Sequence, residues 1–471
     1  MNDERYQVII IGAGIGGLVS GCLLALAKKK VLIVEKNDVP GGYCTSFKQF
    51  GLHFDTCAHS LGDLSKQGKL FAILNKIGVL EKVKRVRYDP GDIIVTEDFE
   101  VCFNNSLDKT IRNLSSIFPK EKEAISAFFK NIVCRQDFVQ AMQLHKQTFS
   151  MLLDDYFVDL RLKKILGLFP LGNLGTPANH VSAFIAVKHF KQFIVDGGYY
   201  LSRGMDDLPR ALMRRFTALG GKLSFGSEVA SVKCRNNTAV GIILRNGREF
   251  SADFIISACD LKSVFMRMLT DLKTRKRAKN IIREMQPSLS LFVAHVVLKK
   301  KLCNSYSPGT NVWRLRNYEY DRVHKRQINY SDMSVGWIML RIGIRKKTVT
   351  LFTNAPYRGS SFWRRNRVDF FSRILKLASD VVPGIDNNVK SVQLLTPFGL
   401  NKMTGNYNGA GYGWASTPNQ SFVADLLSDG VAKNLFLSGH WGSVAQGIPG
   451  VAIAGERVSR IILARMKNVK I

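Results

Sequence analysis

The sequence predicts an α/β fold: a Rossmann-like domain built from discontinuous segments, joined to an α+β domain. Three observations predict it. An apolar run, a glycine turn, a helical stretch and a second apolar run follow one another within residues 6–35. Glycine-rich strand–turn–helix patterns return in 196–260 and 396–471, with helical and alternating patterns between them. The chain of 471 residues is too long for one ordinary core, and at 46% hydrophobic and 22% charged it is a globular composition.

Tyr6 to Ile11, with Val8, Ile9, Ile10 and Ile11 in a row, reads as a buried parallel strand. Gly12-Ala13-Gly14-Ile15-Gly16-Gly17 follows, then helical periodicity from Leu18 to Lys28, then the apolar strand Val31–Val34, which ends at Glu35. In this pattern Gly12 permits the tight turn, Gly14 lets the backbone approach a pyrophosphate, and Gly17 lets the helix pack closely on the sheet. The helix start offers free N–H groups and the positive end of the dipole, and Glu35 offers a carboxylate to ribose hydroxyls. A glycine turn with no ligand is the bland alternative, and the strand–helix–strand–acid context argues against it.

After Glu35 comes Lys36-Asn37-Asp38-Val39-Pro40-Gly41-Gly42-Tyr43, and then Gly51-Leu52-His53-Phe54-Asp55-Thr56-Cys57-Ala58-His59. Together with Gly204-Met205-Asp206-Asp207-Leu208-Pro209, Glu228-Val229, Gly409-Ala410-Gly411-Tyr412-Gly413-Trp414 and Ser438-Gly439-His440-Trp441 through Gly447-Ile448-Pro449-Gly450, the chain resembles the phytoene desaturase, carotenoid isomerase and retinol saturase family. That family is a branch of the amine-oxidase-like flavoproteins. The resemblance implies FAD as cofactor. Gly12, Gly14, Ile15, Gly16, Gly17, Glu35, Lys36, Gly41, Gly42, Ser46, Val229, Gly439, Gly447, Ile448 and Pro449 are the positions that would bind it. It also implies a long apolar isoprenoid or polyene substrate, desaturated, saturated or isomerised by hydride exchange with flavin N5. Tyr43 after the second glycine pair, His440 after Gly439 and Arg203 before Gly204 depart from the family's usual residues. A second G-x-G-x-x-G in strand–helix context is missing, so oxygen, a quinone or another carrier is the expected reoxidant rather than NAD(P)H.

On this reading residues 1–62, 196–260 and 396–471 form the FAD-binding domain, 63–195 a helical lid or substrate region, and 261–395 a substrate domain with an antiparallel sheet. Lys69–Ile77 and Lys120–Phe129 carry helical patterns, whereas Leu289–Ala294, Trp337–Leu340 and Thr348–Phe352 alternate like strands. Asp55, His59 and His440 are the candidate acid or base groups, with structural roles for Asp55 and His59 as the alternative. An amine-oxidase-like enzyme and a non-enzymatic lipid carrier on the same fold remain as further readings.

The 68 Lys and Arg against 37 Asp and Glu give a net charge of +31. Such a field attracts acidic ligands or an anionic membrane surface, unless it only reflects a basic proteome. Basic stretches at Lys273–Lys279 and Phe362–Arg367 mix with apolar residues, as at a headgroup interface or on a solvated helix face. Nucleic-acid motifs are missing, and the eight cysteines have no metal-site spacing. The acidic start Met1-Asn2-Asp3-Glu4 is unlike a secretory signal, and the apolar stretch Val8–Ala27 is interrupted by glycines. A cytoplasmic chain, peripheral on the inner face of a membrane at most, is expected.

Overall fold

A run of β-branched residues closed by glycine puts the N-terminal strand at the centre of a parallel sheet. The computed structural model describes residues 4–135, 138–303, 306–320, 333–420, 432–442 and 446–468. Strand β1 (Glu4–Ile11) lies between Glu249–Ser257 and β2 (Val31–Val34), parallel to both. Val8, Ile9 and Ile10 are fully buried, as a strand covered on both faces requires. The sheet has seven strands. Val229–Arg235, Thr238–Leu244 and Glu249–Ser257 form an antiparallel edge. Lys222–Ser224 extends the sheet beyond β2, and Leu435–Leu437 pairs with Glu249–Ser257. Its strands therefore come from three separate parts of the chain. Helix α1 (Ile15–Leu26) starts earlier than the apolar periodicity alone indicated, because Gly14 in extended conformation already serves as its N-cap.

The second sheet also has seven strands, in the order Val389–Leu395, Ser290–Leu298, Thr348–Ala355, Trp337–Ile342, Asn311–Leu315, Asp92–Val95 and Glu100–Phe103. Its pairings are antiparallel except between Asn311–Leu315 and Asp92–Val95. The last two strands come from the segment read above as helical, so that segment contributes to floor as well as roof. Alternation assigns the faces. Phe292, Ala294, Ile338 and Leu340 pack with helix Ser360–Val381, and Leu291, Val293, Trp313, Met339 and Phe352 face the helices of 107–190. Phe128, Phe149, Phe169 and Phe190 fill the space between that face and the roof.

The first sheet is closed by helix on helix. Gly455, in the C-terminal helix Gly447–Asn468, packs so near α1 that a Cβ there would lie 2.6 Å from the Gly16 carbonyl oxygen. Ser20 donates to the Gly16 carbonyl at 2.9 Å, and Ser459 donates to the Gly455 carbonyl at 2.8 Å. The two helices thus meet over small side chains whose hydroxyls are satisfied within the contact. None of the described helices is long and apolar enough to cross a membrane. The basic stretches fall on helices Leu272–Ile282 and Ser360–Val381, with Lys273, Lys276, Arg277 and Arg364 exposed. All eight cysteines are free.

Replacing Gly455 by Val forces these helices apart. It is expected to cost about 1–3 kcal/mol and to lower the thermal midpoint, followed by circular dichroism, by a few degrees. An unchanged midpoint would show that the contact yields without cost.

Candidate functional site

The turn from β1 into α1 opens on a cavity of about 340 Å³. Gly12 holds φ at +103°, in the range that favours glycine, and a Cβ there would lie 3.0 Å from the Ala258 carbonyl oxygen. Gly14 is different: a Cβ built on it meets no protein atom within 4 Å, and the residue lines the cavity. Its bare backbone therefore faces space that a ligand can fill. With Gly14 as N-cap the first turn of α1 has no side-chain cap, so its N–H groups are left to a ligand. The second glycine loop docks on the first, with the Gly41 N–H donating to the Ala13 carbonyl at 2.9 Å. Gly41 and Gly42 both take positive φ and both line the cavity. Gly439 and the start of the C-terminal helix, Gly447 and Ile448, line it as well.

One end of the cavity is polar and charged. Glu35, at the tip of β2, accepts from the Ala13 N–H at 2.8 Å and from the backbone and side chain of Asn37, each at 3.0 Å. A carboxylate has about four acceptor directions, so it keeps capacity for a further hydroxyl. Lys36, Ser227, Glu228, Val229, Cys259 and Asp260 complete this end. Partial burial pulls the Lys36 ammonium down from its ordinary value, against the pull of Glu35 and Glu228. Asp260 is fixed by the N–H groups of Ser263 (2.6 Å) and Tyr407 (2.8 Å), and burial raises its carboxyl.

The other end is walled by Tyr43, Cys57, His59, Asn173, Phe193, Leu291, Tyr412 and His440. The hydroxyls of Tyr43 and Tyr412 are engaged away from the cavity, donating at 2.9 Å to the carbonyls of Ala410 and Gly172. Burial lowers the His59 imidazole to about 3, with the Arg341 charge acting in the same sense, and lowers His440 to about 4. Burial also pushes the Cys57 thiol up to about 12. At neutral pH His59, His440 and Cys57 are therefore uncharged.

Of the residues singled out from sequence, Gly12, Gly14, Ile15, Gly16, Glu35, Lys36, Gly41, Gly42, Val229, Gly439, Gly447 and Ile448 line one cavity, with His59 and His440 among them. Gly17, Ser46, Pro449 and Asp55 do not. Gly17 is a packing glycine, since a Cβ there would lie 2.1 Å from the Gly12 carbonyl oxygen. Ser46 donates to Asp55 at 2.7 Å. Asp55 also accepts from the Met205 N–H at 2.7 Å and from the Tyr200 hydroxyl, so it ties the hairpin Ser46–Asp55 to the 199–207 segment. The structural alternative for Asp55 is the one that these bonds support. Sequence reasoning missed Asp260 and Cys259, although they follow the carboxyl end of a strand parallel to β1, where α/β sheets bind ligands. It also missed Asn173 and Phe193, which the helical region brings to the cavity.

The parallel sheet, its glycine turn and the acid at the tip of β2 define a protein of the dinucleotide-binding α/β class. Residues 15–463 match the family of flavin containing amine oxidoreductases, and the chain belongs to that family. FAD is its cofactor and oxidoreduction its class of reaction. It is similar to phytoene desaturase (neurosporene-forming) of Cereibacter sphaeroides, 24% identical over 98% of this chain and 95% of that one. Prolycopene isomerase of Arabidopsis thaliana is 24% identical over 64% of this chain, and human all-trans-retinol 13,14-reductase 23% identical over 69%. The chain spans little more than half of these two, 55% and 59%. Among solved structures, an oxidoreductase from Methanosarcina mazei superposes with a TM-score of 0.67 at 16% identity, over 96% of this chain and 100% of that one. Wild-type putrescine oxidase bound to putrescine does so with a TM-score of 0.64 at 16% identity, over 98% and 99%. The cavity suits FAD on its own geometry: an open cradle at Gly14, uncapped N–H groups at α1 and a carboxylate with spare acceptor capacity.

Gly14→Val fills the cradle with a side chain and is expected to abolish flavin absorbance in a folded protein; retained flavin would overturn the role given to Gly14. A second expectation concerns acid. His189 is buried, stacked on Phe193 with ring centroids 4.6 Å apart, and neither ring nitrogen has a partner. Burial lowers its imidazole to about 3 from 6.5. Between those values the unfolded chain binds the proton and the folded chain does not. Stability is therefore lost as pH falls below about 6.5, by up to about 1.4 kcal/mol per pH unit. His189→Phe is expected to flatten the acid limb of urea-melt stability by that slope between pH 6 and 4, and an unaltered limb would contradict it.

Proposed function

We propose that this chain is an FAD-dependent oxidoreductase acting on carbon–carbon bonds of a long apolar isoprenoid or polyene. The observation that carries this reading is the distribution of charge along the cavity. Lys36 lies with Glu35 and Glu228, Asp260 is near enough to act on Tyr43, and the lining at His59, Asn173, Phe193, Leu291 and Tyr412 carries no ionised side chain at neutral pH. A substrate cation would need a carboxylate in that lining, and a buried ammonium without one is costly. An unsaturated hydrocarbon chain needs none. The names of the desaturase, isomerase and reductase relatives point the same way.

In this reading Gly12, Gly14, Ile15, Gly16, Gly41 and Gly42 hold the pyrophosphate through backbone groups. Glu35 and Lys36 hold the ribose, Val229 meets the adenine, and Gly439, Gly447 and Ile448 meet the flavin end. FAD supplies a two-electron hydride acceptor or donor when bound. The chain's own residues do the rest. Tyr43, Phe193, Leu291 and Tyr412 exclude water and orient the chain of the substrate. His59 and His440, both neutral at physiological pH, each present one donor and one acceptor nitrogen, as a proton relay near the reacting carbon requires. Asp55 has no part in it, since its oxygens are engaged by Ser46, Met205 and Tyr200.

The test is a paired assay on the flavin-loaded protein. Aerobic incubation with putrescine and benzylamine should release no peroxide above background, and solvent extraction of the purified protein, or incubation with C20 polyenes, should yield a bound or converted polyene. Rapid amine-dependent peroxide release would instead establish an amine oxidase, and a protein that binds polyene but never exchanges electrons with it would be a carrier.

A further inference from the structure

Two neutral polar side chains, His59 and Asn173, meet on the cavity wall. Asn173 lies on helix Leu160–Leu174, where Leu166 through Gly172 and Leu174 are buried. It is half-buried, lines the cavity, and its carboxamide lies beside the His59 ring. His59 lines the same wall, its Nδ1 sealed and unpartnered, with Asn173 and Asn311 close beside the ring. Trp313 and Phe352 pack against that ring with centroids 6.3 and 4.9 Å away, which fixes its place. The tyrosine hydroxyls nearby are already used on backbone carbonyls. A wholly hydrocarbon ligand would leave the cavity-facing polar atoms of this pair dry, which costs stability, whereas a ligand oxygen would satisfy them.

We propose that His59 and Asn173 form a clamp for an uncharged oxygen group of the substrate, a hydroxyl or a carbonyl. This rests on the apolar-substrate reading above and narrows it to an oxygenated polyene or isoprenoid. The carboxamide donates and accepts, and the neutral imidazole does the same, so the clamp meets either a hydroxyl or a carbonyl. Neither residue brings the charge that would demand a carboxylate. A site built to hydrogen-bond an oxygen discriminates strongly against the same molecule without it, since its own polar groups are then left dry.

The test is equilibrium binding to the flavin-loaded protein, read by quenching of tryptophan fluorescence. The ligands are all-trans-retinol, all-trans-retinal and axerophthene, the same polyene with hydrogen in place of the hydroxyl. The unaltered protein should bind retinol or retinal at least about tenfold more tightly than axerophthene. Asn173→Leu and His59→Phe should each bring the oxygenated ligand towards the axerophthene value without weakening axerophthene, with flavin absorbance retained. Either variant carries the test if the other fails to fold. Equal affinity for all three ligands would overturn the clamp while leaving the apolar reading intact. A preference that survives in the folded variants would overturn the assignment to these residues. Failure of all three to bind would overturn the apolar-substrate reading, and the clamp with it.

Discussion

The molecule depends on backbone meeting backbone without side chains between. At the head of α1 a Cβ on Gly17 would lie 2.1 Å from the Gly12 carbonyl oxygen, and one on Gly16 would lie 2.7 Å from the Gly439 nitrogen. These contacts draw the first turn, the strand Leu435–Leu437 and the C-terminal helix into a single junction. The glycines there do two different things. Gly12, Gly16, Gly17 and Gly455 have no Cβ because protein occupies the place, and Gly14 has none where the place is open. Tight packing around the opening fixes the backbone N–H groups that a dinucleotide meets, so cofactor geometry is inherited from helix packing rather than from flexible side chains.

Polarity is then graded along the cavity. The charged end is built from the tips of parallel strands, where Glu35 and Asp260 are held by backbone N–H donors. Elsewhere on the cavity wall His59 packs against Trp313 and Phe352 of the second sheet, His440 follows the strand Leu435–Leu437 of the first, and burial strips both of charge. Both sheets thus contribute to one cavity, the first through its strand tips and glycine loops and the second through the aromatic residues behind His59.

Much of the first sheet was legible in the sequence because it is encoded locally. The run Val8–Ile11, the glycine turn and the run Val31–Val34 sit within one short stretch, and the apolar run Leu435–Leu437 fell at the strand observed. The second sheet was less so. Asp92–Val95 finds its parallel partner in Asn311–Leu315, and nothing near residue 92 announces a neighbour so distant in the chain. Asp55 was open between chemistry and structure in the sequence for the same reason, since of the groups that occupy its oxygens only Ser46 is near it in the chain, and Tyr200 and Met205 are distant. Asn173 was not legible, because its place on the cavity follows from how its helix packs on the second sheet, where a Cβ on the neighbouring Gly172 would lie 2.4 Å from the Trp313 ring.

The junction also has an order in time. Ribosomal synthesis delivers β1 and α1 first, whereas Leu435–Leu437 and the helix Gly447–Asn468, which complete the same layer, emerge several hundred residues later. At roughly 5–20 residues per second, the nascent N-terminal half waits tens of seconds with an apolar sheet edge and helix face uncovered. Such a half-built layer is a natural client for holding chaperones, and it cannot retain the nucleotide early, because one wall of the cavity has yet to be made. A complete cavity therefore requires that segments several hundred residues apart have met.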